Sequence, residues 1–168
     1  MLAAALLVAG LALAGCDRDQ PGADAIRFTA GERPADAALA DDIARGLSTD
    51  ARVLDCEQGL VNGRSAFTPD WVRAHRLDLD DDGREDWVVE GRHRCLAGPD
   101  GADWWLYAEG DAGRRLLLAA GSEHALEVLP SRSHGFRDLR LLDAGGRATS
   151  MRYDGEAYAP AAPSAPLP

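Results

Sequence analysis

Positive charge is in short supply in this chain. Its 168 residues carry 18 Lys and Arg against 28 Asp and Glu, a formal charge of −10. An acidic balance of that size argues against nucleic acid as a partner, and against attachment to anionic lipid through charge. It suits cation binding, a basic partner, or solubility alone. Catalytic signatures are also lacking. There is no His-Glu-x-x-His, no Gly-x-Ser-x-Gly, no phosphate-binding loop and no dinucleotide fingerprint. The four histidines, His75, His93, His124 and His134, include no pair at helical metal-ligand spacing. Ser133 and His134 are sequence neighbours, which does not make a triad. No catalytic residue is assigned, and an envelope enzyme assembled from distant residues stays as an alternative. Internal repeats are missing too, which argues against a full propeller. The charge-free apolar run from Leu2 to Ala14 is too short for a permanent membrane span.

What is present begins with that run. It ends in Leu13-Ala14-Gly15-Cys16 and gives way at once to polar Asp17-Arg18-Asp19-Gln20. A short apolar segment closing on small residues reads as a secretory signal, although this one has no Lys or Arg after Met1. With cysteine directly after Ala14-Gly15, the segment resembles the lipobox signal of bacterial lipoproteins. The resemblance implies a signal peptide over residues 1–15, cleavage before Cys16, and lipid on its thiol. More than one acyl chain would then hold the protein to a bacterial membrane, facing the periplasm. Asp17 marks inner-membrane retention in some bacteria but not all, so the choice of membrane stays open. Residues 16–25 contain Pro21-Gly22 and read as a tether.

With Cys16 assigned to lipid, Cys56 and Cys95 remain. An oxidising compartment makes a Cys56–Cys95 disulfide the default. The alternative is a metal site using Cys95 with His93.

Residues 26–159 read as a single β-rich α+β domain. Ile26 to Thr29 suggests a first strand. From Pro34, Leu39, Ile43 and Leu47 recur every four residues and predict one N-terminal helix ending near Gly46. Beyond it come short β-like runs: Arg52–Cys56, Trp71–Leu77, Trp87–Glu90, Trp104–Glu109, Arg114–Ala119, His124–Leu129, Phe136–Leu142 and Arg147–Tyr153. Gly-rich turns separate several of them, and Asp154-Gly155 sets up a last hairpin. The pattern predicts an antiparallel meander of about seven or eight strands. Residues 160–168 are rich in Pro and Ala and are expected to be disordered.

The acidic loop Asp78-Leu79-Asp80-Asp81-Asp82-Gly83-Arg84-Glu85-Asp86 fits D-x-D-x-D-G-x-x-D. Calcium wants six to eight hard oxygens, and a tight loop turns residues 1, 3 and 5 inward. Those are Asp78, Asp80 and Asp82. Gly83 permits the sharp turn, Arg84 would offer its carbonyl, and Asp86 would act directly or through water. Position 12 holds Val89 where an EF-hand has a bidentate Glu, and the flanks are β-rich. The loop therefore resembles the strand–loop–strand calcium sites of FG-GAP and VCBS-type repeat proteins, in one copy. That resemblance implies a structural calcium ion of modest affinity. Without a cation, the crowded carboxylates would repel one another.

Trp104 and Trp105 point to opposite faces of their strand, so Leu106 joins Trp104 and Tyr107 joins Trp105. If one face of the sheet is bare, Trp105 and Tyr107 form a partner surface. If the helix covers it, they are core. The turn Ser131–Gly135 is a second partner candidate. These readings converge on a lipid-anchored, non-catalytic protein with a structural calcium loop that binds another envelope or secreted protein. A sharper alternative is an inhibitor of a cell-wall hydrolase, since the architecture resembles some lysozyme-inhibitor-type immunity lipoproteins.

Overall fold

The structure is a computed structural model that describes residues 24–162. The signal segment, Cys16 and most of the tether lie outside the described residues, as does the end of the Pro/Ala tail. Among the described residues, twelve strands are distributed over two main antiparallel sheets and a small hairpin. In chain order they are β1 (Ile26–Thr29), β2 (Leu60–Val61), β3 (Arg64–Ser65), β4 (Val72–Leu77), β5 (Asp86–Gly91) and β6 (Ala97–Gly98). Then follow β7 (Gly101–Ala108), β8 (Arg115–Glu123), β9 (Ala125–Ser133), β10 (Phe136–Leu142), β11 (Ala148–Tyr153) and β12 (Tyr158–Pro160). The helices are α1 (Asp41–Leu47) and α2 (Ala51–Leu54). The β-rich α+β class expected from the sequence is the one observed.

The first sheet runs β4-β5-β7, with β8 on the far edge of β7 and the short β6 continuing the β5 side. The second is ordered β1-β9-β10-β11-β12. The chain passes from β8 to β9 without pairing them, and β9 takes β1 as its other neighbour. The expected meander is therefore two meanders stacked face to face. Val88, Trp104 and Leu106 of the first sheet share one core with Leu126, Val128, Leu139 and Leu141 of the second. The other face of the first sheet packs Val89, Trp105 and Tyr107 with Ile43, Leu47 and Val53 of the helices. The result is three layers, with the first sheet in the middle and apolar side chains on both of its faces, as its unbroken buried pattern over β5 requires.

Three local expectations need correction. The helix does not start at Pro34. Residues before Asp41 stay extended because the Asp36 and Ala37 N–H groups donate to the Ala74 carbonyl on the edge of β4. The acidic pair Asp41-Asp42 then opens α1, where negative charge is favoured. Arg52–Cys56 is not a strand. Asp50 caps a second short helix by accepting from the Arg52 N–H at 2.8 Å. The chain also stays ordered past residue 159, since Pro160 ends β12 and the Ala161 N–H donates to the Ser150 carbonyl at 2.8 Å. A Cys56–Cys95 disulfide, spanning 39 positions, ties the end of α2 to the segment between β5 and β6. Such a bridge contributes about 2–4 kcal/mol.

Candidate metal centre

The acidic loop connects β4 to β5, whose last pair is Leu77 with Asp86. Its shape comes from its own aspartates. Asp78 Oδ1 accepts the Asp81 N–H at 2.6 Å, and its Oδ2 accepts the Gly83 N–H at 3.0 Å. Asp80 Oδ1 accepts the Asp82 N–H at 3.2 Å. Short carboxylates satisfying backbone donors two to five residues on is the local chemistry that Asp supplies in turns. Two residues adopt left-handed backbone, Asp81 at φ 61° and Gly83 at φ 83°. Gly83 is where the tight turn was expected from sequence.

Leu79 anchors the loop. Its side chain is fully buried between the sheets. Its N–H donates to Asp86 Oδ2 at 2.8 Å, and its carbonyl accepts the Arg137 N–H at 2.9 Å and Arg132 Nη1 at 3.2 Å. Arg132 also pairs with the Asp81 carboxylate. A loop that belongs to the first sheet is thus strapped to the β9–β10 hairpin of the second. Nothing in the motif marks Arg132, and for Leu79 there is a single sign. The apolar residue at position 2 of an otherwise acidic loop was the one readable signal.

Asp78, Asp80 and Asp86 converge, each offering a carboxylate oxygen, with all three oxygens within 4.8 Å of one another. Asp86 is 1% exposed. Its two oxygens accept the Leu79 and Glu109 N–H groups, the latter at 2.9 Å. Burial pushes its carboxyl up to about 6; the charges of Asp80 and Asp78 add to the rise, and the two N–H donors oppose it. Burial also raises Asp80. A set of three hard oxygens with this electrostatic cost suits a hard cation, which would favour the ionised carboxylates.

The Asp82 carboxylate is not part of this triangle. Asp82 Oδ1 accepts the Arg84 N–H at 2.8 Å, and Oδ2 accepts Arg84 Nε at 2.7 Å. Those bonds hold the Asp82 carboxyl below its ordinary range. Arg84 reaches on to Asp111 at 2.7 Å. Of the residues expected around one ion, Asp78, Asp80, Asp82, Arg84 and Asp86, the structure brings together the carboxylates of Asp78, Asp80 and Asp86 and turns the Asp82 carboxylate toward the Arg84 guanidinium.

Trp105 and Tyr107 are not a partner surface. Trp105 is 0% and Tyr107 8% exposed, because α1 and α2 cover that face of the sheet. Trp105 Nε1–H donates to Asp50 Oδ2 at 2.9 Å, joining strand to helix cap. The large apolar side chains left exposed among the described residues are Leu60 and Val61 in the β2–β3 hairpin and Leu116 on β8.

Two further clusters stand apart from the loop, of which the sequence marks only His93 with Cys95, as the metal alternative to the disulfide. His75 is fully buried, with Nδ1 3.4 Å from Asp36 Oδ2 and Nε2 4.0 Å from Glu90 Oε2. Glu90 in turn accepts Arg73 Nη1 at 3.0 Å and the Gly31 N–H at 2.7 Å. His93 stacks on Trp71 with ring centroids 3.9 Å apart and sits beside the disulfide. Comparison of the chain with known protein families, with curated proteins and with solved structures gave no match.

Proposed function

We propose that this chain is a lipid-anchored, periplasm-facing, non-catalytic module whose acidic loop holds a structural calcium ion, and that the fold so braced binds another envelope or secreted protein. The observation that carries the reading is the convergence of Asp78, Asp80 and Asp86 in a loop bonded to both sheets. An ion there neutralises carboxylates that burial penalises, at the point where the two sheets are tied together. The donor set fits calcium because every candidate ligand is a hard oxygen, and water or a loop carbonyl can complete its coordination. Without a bidentate Glu, affinity falls in the weak range that suits a calcium-rich exterior. Anchoring rests on the Leu13-Ala14-Gly15-Cys16 motif, with the tether leading into β1.

Partner contact belongs to the exposed features, not to the tryptophan pair. Leu60 and Val61 are each 54% exposed on a two-residue hairpin. Thermal melting tests the calcium reading. The protein should melt higher with calcium than with chelator, and Asp80→Ala with Asp82→Ala should abolish the difference. Equal melting in all four samples removes the calcium assignment. Mass spectrometry of the mature N-terminus tests the anchor, because a free Cys16 thiol would remove it.

A further inference from the structure

The Cys56–Cys95 bridge is asymmetric. Cys56 is buried against the helix layer, whereas Cys95 is exposed beside a cleft of about 200 Å³ lined by Arg94, Cys95, Leu96, Asp103 and Ser122. His93 Nδ1 lies 2.9 Å from Cys95 Sγ. Stacking on Trp71, with the planes 7° apart, fixes that imidazole. One ligand atom each of Cys56, His93 and Cys95 lies within 4.8 Å of the other two. The bridge thus has one half on an exposed residue with an imidazole held against its sulfur. Exposure and a neighbouring base are what make a disulfide exchangeable.

We propose that Cys95 is the sulfur through which this disulfide exchanges with a low-molecular-weight thiol, with His93 as its positioning residue. A thiolate RS⁻ enters from the cleft and attacks Cys95 Sγ. An RS–S bond forms on Cys95, the bond to Cys56 Sγ breaks, and its electron pair leaves on Cys56. That sulfur takes up the proton the incoming thiol released, relayed by His93. As a thiol it donates to the Arg52 carbonyl, which lies 3.5 Å from Cys56 Sγ. A second thiolate attacks the RS sulfur, releases RS–SR, and leaves Cys95 as a thiolate beside His93. Two external thiols are oxidised for each protein disulfide reduced. Attack on Cys56 is blocked by its burial, so the direction of exchange is set by the fold.

The test uses the full chain in a glutathione redox buffer under native conditions, quenched with iodoacetamide over a time course and mapped by mass spectrometry. Glutathione on Cys95 with an alkyl label on Cys56 is the expected result. Glutathione on Cys56, or none on Cys95 at any time short of denaturation, overturns the proposal. The role of His93 is read from the pH profile of Cys95 alkylation in Cys56→Ser. Adding His93→Gln should shift the profile upward and slow alkylation about tenfold at pH 6. Superimposable profiles overturn that role. If Cys56→Ser does not fold, the rate of native opening by glutathione is compared between wild type and His93→Gln. Slower opening is expected in the variant, and equal rates overturn the role.

Discussion

Asp86 is costly to ionise in the absence of a cation. Its folded carboxyl is raised to about 6 from an ordinary 3.8, chiefly by burial. The folded protein therefore holds that proton more firmly than the unfolded chain. In chelator, the contribution of Asp86 to stability is fully present below about pH 4 and is lost as pH rises through 6, by about 3 kcal/mol. Calcium bound there would reverse the preference, because it would take the ionised form. The calcium-dependent gain in melting temperature should be complete at pH 7.5 and shrink as pH falls through 6, as the proton competes for Asp86. A gain unchanged down to pH 5 would remove Asp86 from the ligand set. Arg84 would oppose a bound cation in a different way, by occupying Asp82 and placing a positive charge on the loop. Arg84→Ala should free that carboxylate and tighten calcium binding about three- to tenfold in titration calorimetry, since affinity follows ligand charge. Equal or weaker binding would show that Asp82 stays outside the site.

Elements are held to one another by a few such side chains, and Asp50 is the clearest case. One oxygen caps α2 through the Arg52 N–H, and the other accepts the buried Trp105 indole N–H. Asp50→Ala removes both bonds and strands the indole donor. The expected loss is about 2–3 kcal/mol by denaturant unfolding, roughly a cap plus a buried hydrogen bond. A loss within about 0.5 kcal/mol, the ordinary range for a surface substitution, would mean the helix is not held this way. The same residue explains where sequence reading succeeded and stopped. Alternation and Gly-rich turns made most long strands legible, with Phe136–Leu142 matching to the residue. Val53 and Leu54 carry the apolar character of a short strand, whereas in the structure they form a short helix capped by the Asp50 side chain. The division into two sheets was not legible, because it depends on β9 choosing β1, almost a hundred residues away, over its neighbour β8. The loop motif showed which residues are acidic and where the turn lies. It did not show that Arg84 would compete for Asp82, since two side chains in one loop can pair in several ways.

On the scale of the whole molecule, the acidic loop matters because of where it is tied. Leu79 sits in the core between the sheets, and its two backbone groups reach Asp86 on one side and the β9–β10 hairpin on the other. An ion bound to Asp78, Asp80 and Asp86 therefore bears on the joint between sheets, and its stabilisation should reach the global unfolding transition. Leu79→Ala and Leu126→Ala separate this from ordinary packing. Both side chains are fully buried in the same core, but Leu126 lies on β9 in the second sheet, outside the loop. Each truncation should cost about 2–5 kcal/mol. Leu126→Ala should retain the calcium-dependent rise in melting temperature, because the loop keeps its anchor. Leu79→Ala should lose most of it, because the aspartates are no longer held in place before the ion arrives and ordering them consumes binding energy. If both variants keep the full calcium response, the loop is organised by its own Asp hydrogen bonds alone. The coupling between metal site and sheet packing would then be absent.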